Sequence, residues 1–360
     1  MSIVALSATS ATTLAGSISF DLPSLFDNFW QLTVDGIAYG SIYALVAVGY
    51  TLVYGVLRLI NFAHSEIFML GMFGQYVGLQ IMGFAPGPNV YSLGVGETIL
   101  YLILAMLIGM AVAGGAAVAL ERTAYRPLRK RGAKPLIFLI TAIGVSFILQ
   151  EFVHFVLPNF KRIFGAIGIE LPTFLQGLGG ASAEQPIRLV APQEQFSLFG
   201  ASVTNVTLLI VASAFILALG TDLMINRTKF GRGIRAVAQD PNTATLMGVS
   251  RERIIILTFL IGGVLAGAAA LLYTIKIPSG IIYSGGFILG IKAFSAAVLG
   301  GIGNLRGALL GGLLLGVIEM YGQIVLGSQW RDVVAFLVLV LVLMFRPTGI
   351  LGESLGKARV

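Results

Sequence analysis

The segment DGIAYGSIYALVAVGYTLVYGV, residues 35–56, decides the fold class. Asp35 is its only formal charge, and the residues that follow it carry none. A helix needs roughly 20 apolar residues to cross a hydrocarbon core, so this stretch is long enough to span. Lipid offers backbone groups no water partner, which leaves helices and closed barrels as the only spanning structures. The apolar/polar alternation of a barrel strand is absent, so the segment reads as a transmembrane helix.

The rest of the chain repeats the pattern. Of 360 residues, 57% are hydrophobic and 11% charged, against about 25% charged in a typical soluble domain. Further apolar runs cover 97–120, 136–157, 206–225, 254–275, 308–326 and 333–345, with shorter ones at 67–84 and 286–301. The expected fold is an all-α polytopic membrane protein of about eight to nine transmembrane helices, two of them short or interrupted. Each short segment follows one full span and precedes another. Paired interrupted helices in the two halves of a chain point to a substrate path near the bilayer midplane.

A net charge of +7 raises the question of nucleic acid, but in a membrane protein basic residues act first as orientation signals. Arg122, Arg126, Arg129, Lys130, Arg131 and Lys134 crowd one short loop, and Arg227, Lys229, Arg232, Arg235, Arg251 and Arg253 another. Short basic loops stay in the cytoplasm. The expectation is therefore a multi-pass protein of the bacterial cytoplasmic (inner) membrane, N-terminus outside and C-terminus inside, with no nucleic-acid partner. Residues 1–30 read as an exposed tail rather than a cleaved signal, since no basic n-region precedes the apolar stretch. A first transmembrane half covers 31–157, an extracytoplasmic loop 158–204, and a second half 205–350 that includes a polar loop at 226–253; a short tail follows at 351–360. With no cysteine, disulfides and thiolate sites are excluded.

Within that polar loop, AQDPNTATLMG (238–248) has the signals of a short capped helix. Asp240 suits the N-cap, Pro241 the first helical position, and Gly248 the left-handed residue past the end. About two turns are too few to be stable alone in water, so the helix must pack on something.

The string RTKFGRGIRAVAQDPNTATLMGVSRERIIILTFLIGGVLAGAAALL (227–272) resembles the cytoplasmic loop of branched-chain amino acid ABC importer permeases of the LivH type. YGVLRLINFAHSEIFMLG (54–71), RPLRKRGAKPLIFLITAIGVSFILQ (126–150) and GIKAFSAAVLGGIGNLRGALLGGLLLGVIE (290–319) resemble the same family in the same order. Ser65 stands where that motif leads one to expect glycine, and Arg306 where a small residue or proline is more typical. The resemblance implies that the polar loop docks an ATPase subunit through Arg235, Asp240, Ala244 and Gly248. It also implies a related or identical second permease, two ATP-binding subunits that hold the ATP and Mg, and an extracytoplasmic substrate-binding protein.

Asn61, His64 and Glu66 open the second apolar run, and Lys292 lies in the other short segment. Polar and ionisable residues inside a membrane are expensive and are functional candidates by default, so these four are the candidate pathway or gate. The alternative for the first three is local: Asn61 or Ser65 caps the helix and Glu66 complements its dipole. Lys292 and Glu319 either line the path or pair with each other. Two histidines without a further ligand cluster make no metal site, and no cofactor is expected in the chain. GGIGNLRGALLGGLLLG (300–316) lacks the preceding strand of a dinucleotide site, and its Gly307/Gly311 and Gly312/Gly316 pairs instead suit close helix packing. GESLGKARV (352–360) is one residue short of Walker spacing. The expected function is a transport subunit and not an enzyme, importing a branched-chain amino acid by alternating access. Urea or short-amide cargo, and an ion-coupled secondary amino acid transporter, are the alternatives.

Overall fold

The computed structural model describes residues 22–156, 158–159, 162, 184, 186–277 and 280–352. The expected N-terminal tail up to residue 21, most of the long loop between 160 and 185, and the tail from 353 lie outside the described residues. After the short α1 (Leu22–Asp27), α2 (Phe29–Leu57) and α3 (His64–Ile81) are followed by α4 (Val95–Leu120) and α5 (Pro135–Glu151). Beyond α4 a π-helical turn, Glu121–Tyr125, leads into Arg126–Lys130. A hairpin of β1 (Glu194–Leu198) and β2 (Ala201–Thr204) precedes α6 (Asn205–Arg227), α7 (Lys229–Gln239) and α8 (Pro241–Leu246). The chain then forms α9 (Arg251–Lys276), α10 (Gly285–Gly300), α11 (Leu305–Leu326) and α12 (Arg331–Phe345). Seven helical segments are long and apolar enough to cross a membrane, with α3 and α10 shorter or more polar. The protein is an all-α polytopic membrane protein.

The polar loop holds two helices where the sequence pointed to one. Thr228 caps α7, its hydroxyl accepting from the Gly231 N–H at 3.2 Å, and Asp240 caps α8. The α7 stretch is strongly amphipathic, with Ile234 and Val237 buried against the bundle, and its alternating glycine, arginine and alanine residues mask that face in the sequence.

All the basic segments gather at one end of the bundle. Arg129 there bridges to Glu252 at the head of α9, and Arg306 at the head of α11 pairs with Asp222 near the foot of α6. The C-terminal stretch closes on the same end, Ile350 N–H donating to the Leu299 carbonyl.

Glycines set how closely the central helices approach. A side chain on Gly312 of α11 would meet the Ala44 backbone of α2 at 2.5 Å, and one on Gly40 would meet the Gly312 carbonyl at 2.8 Å. The Gly307/Gly311 pair faces the other way, onto Gly300 and Ala296 of α10. One glycine-rich helix thus packs tightly on two partners at once, which small residues permit between membrane helices.

Gly312→Val is expected to destabilise the protein by about 1–3 kcal/mol through overpacking. Gly144→Val, at a position with open space around it, serves as the control. Thermal unfolding of the detergent-purified chain should separate the two.

Candidate functional site

The short helices α3 and α10 both begin inside the bundle. The His64 ring lies against Gly49 and Gly262, where added side chains would collide with it or touch it. Gly49 stands eight residues before the end of α2 and Gly262 eleven residues into α9. At 1.5 Å per residue the imidazole therefore sits roughly 12–16 Å in from the basic end. On α10, Gly286 packs on Met69 and the Ser65 carbonyl, and Gly290 packs on the Ser65 side chain. The first turns of the two helices overlap, running in opposite directions, with their N-termini near each other.

A buried polar cluster occupies this meeting point. The Tyr125 hydroxyl donates to Asn61 Oδ1 at 2.7 Å, and His64 meets Tyr50 edge-on at 4.7 Å between ring centroids. Glu66 is fully buried, and its Oε1 accepts from the Ser65 and Ser146 hydroxyls at 3.3 and 3.2 Å. Three buried polar atoms here lack a partner: Asn61 Nδ2, His64 Nε2 and Glu66 Oε2. Buried polar groups are nearly always satisfied, so this concentration is unusual.

Side-chain capping at α3, expected of Asn61 or Ser65, is not what the structure has. The N-cap is Ala63 with no side-chain bond, and the Asn61 backbone carbonyl accepts from the His64 N–H instead. Ser65 turns back to the Phe62 carbonyl at 2.7 Å and forward to Glu66. It lies within the first turn, too late to cap it.

Lys292 belongs to a different cluster. Its Nζ pairs with Glu319 at 2.7 Å and Asp332 at 2.5 Å, and Arg331 bonds the same Glu319 oxygen. Lys292 and Glu319 thus pair, one of the two outcomes left open by the sequence. Arg331 lies over the Tyr39 ring at 4.3 Å, and Lys276 pairs with Asp35 at 2.8 Å. The sequence did not single out Arg331 or Asp332, because both follow a helix break and look like an ordinary interfacial pair.

At the basic end, Asp240 Oδ1 accepts from the Asn242 and Thr243 N–H groups at 2.9 and 3.2 Å. The Thr243 hydroxyl and these two N–H groups hold the Asp240 carboxyl below the usual carboxylate range. Gly248 is left-handed at φ 83°, and Arg235 donates to the Ile225 carbonyl at 2.6 Å. Ala244 faces inward and is buried. Leu246 and Met247 face outward, 87% and 80% exposed. They were missed in the sequence because an apolar pair there reads as the packed face of the helix.

The model of the family described as branched-chain amino acid transport system / permease component matches residues 32–343. The chain belongs to this permease family. It is 40% identical over 92% of its length to the high-affinity branched-chain amino acid transport system permease protein BraD of Pseudomonas aeruginosa, covering 98% of that protein. It is 38% identical over 90% of its length to LivH of Escherichia coli, a permease of the same description, covering 96% of it. The autoinducer 2 import system permease LsrC of Yersinia enterocolitica is 30% identical over 68% of this chain and 64% of that protein. The cargoes named for these relatives differ, so cargo has to be sought in site residues rather than in the fold.

The permease carries a third buried charge cluster where α4 meets α9. Arg129 Nη2 bonds Glu121, fully buried, at 2.7 Å and Glu252 at 2.8 Å. Removing one partner of a buried ion pair leaves the other charge uncompensated, at about 3–5 kcal/mol. Arg129→Ala is expected to lower stability by that order. Arg129→Ala/Glu121→Gln, which removes the two buried charges and leaves Glu252 paired with Arg126 at 3.0 Å, should recover much of the loss in the same thermal unfolding assay.

Proposed function

We propose that this permease is the transmembrane subunit of an ABC importer for branched-chain amino acids, working by alternating access driven by partner ATPase subunits. One observation carries the reading: Leu246 and Met247 stand exposed at the tip of a short helix at the basic end. An exposed apolar pair rimmed by polar residues marks a protein contact. Asp240 and Gly248 terminate this helix, Ala244 seats it, and Arg235 ties α7 to the foot of α6, so the four residues build the docking element while Leu246 and Met247 meet the partner. The positive-inside rule supports reading this end as cytoplasmic, where ATP and Mg would be bound by two ATP-binding subunits. A related or identical permease and an extracytoplasmic binding protein complete the assembly. The chain itself is not an enzyme and needs no cofactor of its own. The names of BraD and LivH support the cargo.

Bonded contacts lead from this element into the bundle. The Val249 N–H donates to the Ala244 carbonyl at 2.9 Å, and three residues on, Glu252 binds Arg129, which holds Glu121. One π-helical turn carries both Glu121 and Tyr125, and Tyr125 bonds Asn61 just before α3. Such turns recur at functional sites. A push on α8 would therefore reach the start of the interrupted helix through hydrogen bonds and ion pairs.

Leu246→Asp/Met247→Asp is expected to abolish co-purification of the ATPase subunits while leaving the melting temperature of the permease unchanged. Arg235→Ala/Asp240→Ala should weaken co-purification by loosening the element. Retention of the ATPase subunits by both variants would sink the docking reading. The depressed Asp240 carboxyl adds a pH expectation. A cap whose folded pKa lies below the unfolded value of about 3.9 is fully present above that value and is lost only as pH falls through the folded pKa. Co-purification should accordingly show no loss attributable to the cap between pH 8 and pH 5.

A further inference from the structure

Glu66 differs from the other fully buried carboxylates of the described residues. Glu121 is held by Arg129, and Glu319 by Lys292 and Arg331. Glu66 has only two long hydroxyl bonds, both on Oε1, and its Oε2 has no partner. A buried carboxylate without a cation is unfavourable, and its position at the first turns of two helices offsets this only in part. Oε2 points at α10, where a side chain on Gly286 would come within 3.3 Å of it. Ser284 at the head of α10 makes no side-chain cap bond. The Gly285 N–H donates to the Ile282 carbonyl at 3.0 Å, while the N–H groups that follow it in the first turn have no side-chain cap and lie beside the free carboxylate oxygen, the one suited to a carboxylate and the other to an ammonium.

A cleft toward the far end of the bundle approaches this point but is separated from it by the buried Met69. It is lined by Met72, Gln75, Tyr76 and Leu79 of α3, together with Thr274 and Ile281. Met69 and Met72 follow Glu66 on α3 at successive three-residue steps, each bringing a neighbouring side chain one turn further along the helix. Met72 reaches Gly285 and Met69 packs on Gly286. Thioether side chains are flexible and adapt to varied apolar shapes, as the side chains of leucine, isoleucine and valine require. Gly286 and Gly290 present no side chain to α3, so on this face α10 contributes only backbone to the contact.

We propose that Glu66 is the ammonium-binding group of the translocation path: an α-amino acid zwitterion lodges between α3 and α10, its ammonium on Glu66 and its carboxylate on the first-turn N–H groups of α10. Met69 and Met72 face its side chain. This rests on the permease reading and sharpens it, because urea and neutral amides carry no ammonium for Glu66 to bind.

The test uses the assembled transporter in nanodiscs and a leucine analogue with a diazirine side chain, with leucine uptake measured in parallel. Wild type is expected to be labelled on α3 and α10, around Met69–Phe73 and Gly285–Leu289, with excess leucine suppressing the label. Glu66→Gln should cut that label at least tenfold, and Glu66→Asp, which keeps the charge, should retain most of it. Label confined to other segments, or label at full strength in Glu66→Gln, overturns the site. Should Glu66→Gln fail to assemble, the wild-type map and Glu66→Asp decide the matter by the same criteria. A wild type that imports no branched-chain amino acid overturns the reading on which the site rests, a result distinct from normal uptake with label elsewhere.

Discussion

A helix that starts inside a bilayer leaves its first N–H groups without water, and everything around α3 and α10 follows from that constraint. Protein must surround both starts. It does so because Gly49 and Gly262 let α2 and α9 close on His64, while Gly286 and Gly290 bring α10 onto α3. The two N-termini then lie together, concentrating positive helix-end potential in one place. A carboxylate is the natural response, and Glu66 supplies it. The glycine contacts between α2 and α11 hold this arrangement from behind, since α2 carries Tyr50 and Gly49 on one side and Gly36 and Gly40 on another.

Charge is arranged on the same logic. The Lys292, Glu319, Arg331 and Asp332 network balances two cations against two anions, with Lys276 and Asp35 adding one of each close by. Arg129 stands between two glutamates. Exposed pairs contribute little to stability. The buried ones tie separate helices together and penalise any movement that parts them. Glu66 is the exception, fixed by hydroxyls alone, and its surroundings can change without breaking an ion pair.

The spans were legible because lipid imposes one rule on every crossing, and runs such as 206–225 and 254–275 obey it plainly. The caps at Asp240 and Gly248 were legible for a similar reason: each residue type there answers a local backbone need. Other features were hidden because they depend on distant partners. The inward face of α7 is masked by its glycines and arginines. Arg331 gains meaning only when α12 folds back on Glu319. Asn61 looked like a cap, yet its side chain is taken by Tyr125, 64 residues away in the chain. Two departures from the family pattern gained an account in the structure. Arg306 pairs with Asp222 across two helix ends, and Ser65 supplies one of the two hydroxyls on Glu66.

The contrast between Ser65 and the glycine expected there bears on how the cluster is built. Placing a hydroxyl at position 65 requires room on α10, and Gly290 provides it, since any side chain at 290 would overlap Ser65. The serine therefore adds a bond to Glu66 Oε1 without pushing α10 away, and Oε2 stays directed at the head of that helix. A bulkier residue at 65 would separate the two helix starts, and a glycine would leave Oε1 with Ser146 alone. The residue at this one contact thus helps to set how firmly Glu66 is held.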